Sequence, residues 1–125
     1  MDVNKNSILN PRFWSALDGL VNSCELHIDR PKNSRHPKYP DLIYPLDYGF
    51  LGDTTASDNN CIDVWNGSLA QHVLTAIAVT VDLTKRDSEI KLLLDCTDEE
   101  IAIISAFHNN GPMSAIIIKR DDRNK

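Results

Sequence analysis

Long apolar runs are missing from this chain. The most apolar stretch, Val73 to Val81, is nine residues interrupted by two threonines, whereas a helix needs roughly 20 apolar residues to cross a bilayer, so no membrane span is expected. The opening MDVNKNSILN lacks the basic stretch, apolar core and cleavage site of a secretory leader. The expected location is the cytoplasm. Cysteine is sparse: Cys24, Cys61 and Cys96 are odd in number, far apart and without a C-x-x-C pair, which fits reduced, buried thiols rather than a disulfide frame or a zinc site. There is no excess of positive charge. A net charge of −5 argues against a nucleic-acid partner, whose binding rests on neutralising phosphates, and no aromatic ladder is present to stack a single strand. The chain also lacks a phosphate-cradling G-x-x-x-x-G-K-[ST] loop and a G-x-S-x-G nucleophile turn. Its four histidines show no metal-ligand spacing.

What is present points to a small folded domain. With 42% hydrophobic and 25% charged residues, 125 residues build one core rather than two, so one domain is expected, with frayed ends at 1–9 and 120–125. Asn10 followed by Pro11 opens a helix, and Phe13, Trp14, Leu17, Leu20 and Val21 recur on one of its sides. From Cys24 the period changes to two, and the strand ends near Asp29. Pro31, Pro37, Pro40 and Pro45 make residues 30 to 45 a long loop. Strands are predicted around 48–51, 62–65, 72–82, 88–94 and 114–119. In the longest, Leu74, Ala76, Ala78, Thr80 and Asp82 form a mostly small face, as on the concave side of a little barrel. Thr97-Asp-Glu-Glu100 matches a capping box for a helix over 98–108, stopped by Asn109, Asn110, Gly111 and Pro112. The order predicts an α+β fold: a curved or closed antiparallel sheet with two helices.

Two local departures carry chemistry. Asp58 and Asp63 are five apart, as are Asp82 and Asp87, and each pair flanks a strand end. Four converging carboxylates suit Mg²⁺, which takes oxygen ligands and keeps waters; aspartates that cap turn amides in solvent are the alternative reading. Arg30, Lys32, Arg35 and Lys38 crowd one loop of an acidic chain, either to meet an anion or as a solvated basic loop.

Taken in order, the motifs resemble the soluble family I inorganic pyrophosphatases. Asp29 through Lys38-Tyr39 is similar to that family's acidic residue, polar loop and Lys-Tyr; Tyr44-Pro-Leu-Asp-Tyr-Gly-Phe50 to its Tyr-Pro-x-x-Tyr-Gly-Phe; Asp58-Asn-Asn-Cys-Ile-Asp-Val64 to its Asp-Gly-Asp-Pro-Leu-Asp-Val; and Asp82 with Asp87 to its later aspartate pair. The likeness spans about residues 24 to 94. It implies a five-stranded antiparallel, OB-like closed barrel with two flanking helices, and Mg²⁺-dependent hydrolysis of inorganic diphosphate by metal-activated water, with Mn²⁺ as a substitute metal. It implies metal ligation by Asp58, Asp63, Asp82 and Asp87, a phosphate contact from Lys38, a substrate contact from Asp29, a phenol from Tyr48 directed into the site, and a homo-oligomer; Arg30, at the start of the basic loop, is expected to add a substrate contact of its own.

Three departures from the pattern bear on catalysis. Asn60 stands where the family has the middle aspartate, and an amide cannot accept and carry a proton. Glu89 stands where the family has a lysine, and the hairpin between Lys-Tyr and Tyr-Pro is deleted. The sequence therefore supports either a diphosphate hydrolase or a relative that binds metal and a phosphorylated ligand with little hydrolysis, or that acts on a larger diphosphate ester.

Overall fold

The computed structural model describes residues 10–120. Helix α1, Pro11–Ser23, starts where Asn10 accepts a hydrogen bond from the Phe13 amide at 3.1 Å. Its apolar side is only partly buried: Trp14 and Val21 are covered, while Phe13 and Leu20 remain exposed. Helix α2, Asp98–His108, carries the complete capping box between Thr97 and Glu100. None of the described helices is long and apolar enough to cross a membrane.

Among the described residues six strands follow one another as β1 (Leu26–Arg30), β2 (Asp47–Leu51), β3 (Ile62–Asn66), β4 (Leu74–Asp82), β5 (Asp87–Leu94) and β6 (Met113–Lys119), with α2 between β5 and β6. They form one open sheet in the order β1-β2-β3-β5-β4-β6. The expected five-stranded, wholly antiparallel closed barrel is therefore corrected on three counts. Met113–Lys119 joins as a sixth member along β4. β1 and β6 are separate edges. And β3 pairs parallel to β5, Val64 with Leu92 and Trp65 with Leu93. The parallel pair arises because the chain after β3 passes one strand width before β4 begins, leaving a slot that β5 fills. The Asp95 carboxylate fixes that crossing, accepting from the amides of Gln71, His72 and Val73 at 3.0 to 3.1 Å.

The sheet separates two packed layers. On one side α1 covers Leu51, Val64, Ile77, Leu92 and Leu94, and Arg120 clamps it through a double contact to Asp18 at 2.6 and 2.7 Å. On the other, Ile101 and Ile104 of α2 pack with Trp65, Leu93, Ala76 and Ala78. The small face of β4 thus makes room for the Trp65 ring and the helix. Leu74 leaves that face, because the register shifts between Leu74 and Ala76 and sends it to the α1 side.

Gly49 shows why the Tyr-Gly-Phe motif takes a glycine. A side chain there would collide with the backbone carbonyl of His27 on β1, so only a bare Cα permits this strand approach.

Candidate functional site

The α2-side face of the sheet continues past the core into a cleft. Cross-strand register dictates its wall: Tyr48 opposes Trp65, and Asp63 opposes Phe50. The parallel alignment of β3 with β5 puts Asp63 beside Lys91, and alternation along β5 adds Glu89. The cleft has a volume of about 500 Å³. Asp29 and Arg30 reach its rim from a bulge in β1, where the register shifts between Ile28 and Arg30. Asp58 and Asn60 reach it from the turn before β3, and Lys85 from the turn between β4 and β5.

The centre of the wall is a buried ammonium. Lys91 is only 7% exposed. Its Nζ donates to the Tyr48 hydroxyl at 2.8 Å, to Asp63 Oδ2 at 2.8 Å and to Glu89 Oε1 at 3.4 Å. Three donors meet three oxygens, which is what burial of a charge requires. Burial by itself would lower the lysine pKa, but the Tyr48 oxygen and the Asp63 carboxylate outweigh it and hold the pKa above the ordinary value. The group stays charged. Burial raises the pKa of Tyr48 against the opposing pull of Lys91, so the phenol stays neutral. Glu89 is also raised by burial, opposed by Lys91 and reinforced by Asp63, Asp58 and Asp87.

The remaining walls differ in sign. Asp58 accepts from the Asn60 amide at 3.0 Å, a bond that holds its pKa below the usual carboxylate range. Asn59 between them takes a left-handed φ of 70°, which asparagine tolerates. Opposite, Arg30 donates to the Tyr44 hydroxyl, with its guanidinium over that ring. His36 beside it has a pKa lowered by burial and then by Arg30, Lys85 and Lys38; the imidazole is neutral in a positive neighbourhood. At the floor, His108 accepts from Trp65 Nε1 at 2.9 Å through Nε2. Burial and nearby Lys91 push its pKa down to about 4.

Of the residues expected in the site, Asp29, Arg30, Tyr48, Asp58, Asn60 and Asp63 line this cleft, while Lys38, Asp82 and Asp87 do not. Lys38 is exposed in the proline-rich loop, its amide donating to His36 Nδ1 at 3.0 Å. Asp82 and Asp87 face each other across the end of the β4–β5 hairpin and line a separate hollow. Asp82 Oδ1 there accepts from the Thr84 and Lys85 amides at 2.9 and 3.1 Å, the turn-capping alternative that the sequence left open. Sequence reasoning missed Lys91 and Lys85. Glu89 stands in place of a lysine in the resemblance, yet Lys91, two residues on and on the same strand face, brings a lysine back. Period-two alternation from Asp87 was the available signal.

The magnesium ion that the sequence resemblance implies does not fit these side chains as they stand. Mg²⁺ requires several oxygens converging on one point, and among the described residues no three His, Cys, Asp or Glu side chains are grouped to hold an ion. The best-placed carboxylate, Asp63, is already in contact with an ammonium.

No protein-family profile matches this sequence, and no curated protein matches it by sequence. Solved structures match by architecture. An inorganic pyrophosphatase from Neisseria gonorrhoeae aligns with a TM-score of 0.56 at 16% identity, over 77% of this chain and 80% of that one. An inorganic pyrophosphatase from Helicobacter pylori aligns with a TM-score of 0.53 at 15% identity, over 81% of this chain and 85% of that one. The chain has a pyrophosphatase-like fold. At these identities the likeness is one of architecture, and the pyrophosphatase fold here presents a wall whose central charge is Lys91.

Proposed function

We propose that the cleft binds a small phosphoanhydride, inorganic diphosphate before others, and that this chain hydrolyses it slowly. The observation that carries the reading is the two-sided charge of a single cleft: Arg30 and Lys85 beside a neutral His36 on one side, and Asp58, Asp63 and Glu89 on the other. Arg30 supplies planar donors for phosphate oxygens and Lys85 a point charge. Lys91 contributes positive potential from beneath while its three donors stay engaged by protein oxygens.

Slow turnover follows from the same residues. Asn60 cannot take a proton from an attacking water. Glu89 is the carboxyl in the cleft best suited to replace it, since burial makes it hold a proton more firmly than an exposed glutamate. Attack by water on one phosphorus would break the bridging P–O bond, pass the water's proton to Glu89 and release two phosphates. Without converging metal ligands, the charge that develops on the leaving phosphate is met directly by Arg30 and Lys85, with Lys91 acting only from beneath, so electrostatic stabilisation of the transition state is weak. The open mouth of the cleft also admits larger diphosphate esters.

Calorimetric titration with diphosphate, triphosphate and nucleoside diphosphates, paired with phosphate release in Mg²⁺ and in Mn²⁺, tests this. Saturable diphosphate binding with little release is expected. Rapid metal-dependent turnover would instead favour the hydrolase reading, and absence of binding to any of them would remove both.

A further inference from the structure

We propose that the Lys91 ammonium is a tethered cation that occupies the coordination space of a divalent metal, making the cleft a metal-independent anion site. Lys91 Nζ lies 2.8 Å from a carboxylate oxygen of β3, 2.8 Å from a phenol oxygen of β2 and 3.4 Å from a second carboxylate on its own strand. A compact positive centre inside an all-oxygen shell is what a bound cation presents. The lysine differs from an ion in three respects. It is covalently attached, it carries one charge rather than two, and its stem runs back toward the core beside Ala78, its cross-strand partner. Ala78 is fully buried and small, which leaves the stem its channel.

The surrounding charges fit this assignment. Glu89 interacts repulsively with Asp63, Asp58 and Asp87 and attractively with Lys91. Removing the ammonium would leave these carboxylates facing one another, and such a cluster must take up protons or a cation. With Lys91 in place, a divalent ion approaching Asp63 meets a positive charge already in contact with that carboxylate. The anion's counter-charge is therefore built into the chain rather than recruited.

This inference rests on reading the cleft as the ligand site, and its test uses metal alone, so that it and diphosphate binding can succeed or fail separately. Mn²⁺ is titrated by calorimetry, with its electron paramagnetic resonance signal as a second readout, into the wild type, Lys91→Met and the double variant Lys91→Met/Asp63→Asn. Lys91→Met should bind Mn²⁺ about tenfold or more tightly than the wild type, with a thermal midpoint that rises on adding metal, and the double variant should lose that gain. A folded Lys91→Met that gains no affinity, or gains it independently of Asp63, overturns the assignment. If Lys91→Met fails to fold, the wild type set against Asp63→Asn decides the matter. Mn²⁺ binding by the wild type that Asp63→Asn abolishes overturns the proposal, and equally weak binding by the two supports it.

Discussion

Lys91 Nζ and Asp63 Oδ2 meet at 2.8 Å across the parallel pairing of β3 with β5. The lysine side chain is 9% exposed and the aspartate 30%. Deleting the aspartate therefore leaves the ammonium in a poorly hydrated place with the Tyr48 hydroxyl and the longer Glu89 contact alone. Asp63→Ala is expected to lower stability by about 2 kcal/mol, less than the ~3–5 kcal/mol of a fully buried pair because water reaches the aspartate. Lys91→Met/Asp63→Asn should recover most of that loss. Urea unfolding of the single and double variants measures the difference; equal stability of Asp63→Ala and wild type would contradict it.

A second pair sets an acid limit. Trp65 Nε1 donates to His108 Nε2, so protonating that nitrogen breaks the bond. The folded pKa is lowered to about 4 from 6.5. An imidazole that resists protonation in the fold lets the unfolded chain bind the extra proton. Stability from this source is present above pH 6.5 and is lost as pH falls from there toward 4. The loss is about 3 kcal/mol in full. His108→Gln should flatten the stability profile over that window, as read from denaturant midpoints at successive pH values.

Asp82 separates a turn cap from a metal ligand. Its side chain is buried and holds two amides of the β4–β5 turn. Asp82→Ala is expected to cost about 1–2 kcal/mol of stability and to leave diphosphate affinity within about twofold of wild type. A large loss of affinity in a protein that remains folded would place Asp82 in the binding chemistry after all.

Gly49 gives the most severe substitution. Because an added Cβ collides with the His27 backbone, Gly49→Ala should separate β1 from β2 or prevent folding, a cost of about 3 kcal/mol or more. Circular dichroism and thermal unfolding report it, and a wild-type melting curve would show that β1 moves freely.

Several of these features were readable in the chain itself. The two helices announced themselves through Asn10-Pro11 and Thr97-x-x-Glu100, since caps are local chemistry. The alternation of β4 set Ala76, Ala78 and Thr80 on the side that proved to face the site. What periodicity does not specify is which strand lies beside which, so all six strands were legible one by one while the parallel contact of Trp65 with Leu93 and the open edges of the sheet were not. A one-residue register shift near Thr75 likewise leaves no mark in composition, yet it sends Leu74 to the other layer. Lys91 was hidden by its type: a lysine in a strand ordinarily marks a solvent face, and its burial is explained by oxygens of Asp63 on β3, Tyr48 on β2 and Glu89 on its own strand. Lys38 was the converse, a basic residue in a basic loop whose side chain remains in solvent.

The most direct measurement is calorimetric titration of inorganic diphosphate into the wild type and Arg30→Ala, with divalent metals removed by chelation. Saturable binding by the wild type without metal is expected, with affinity lowered about tenfold or more in Arg30→Ala, as loss of a charged hydrogen bond entails. Binding that appears only when Mg²⁺ is restored, or that ignores Arg30, would contradict this expectation.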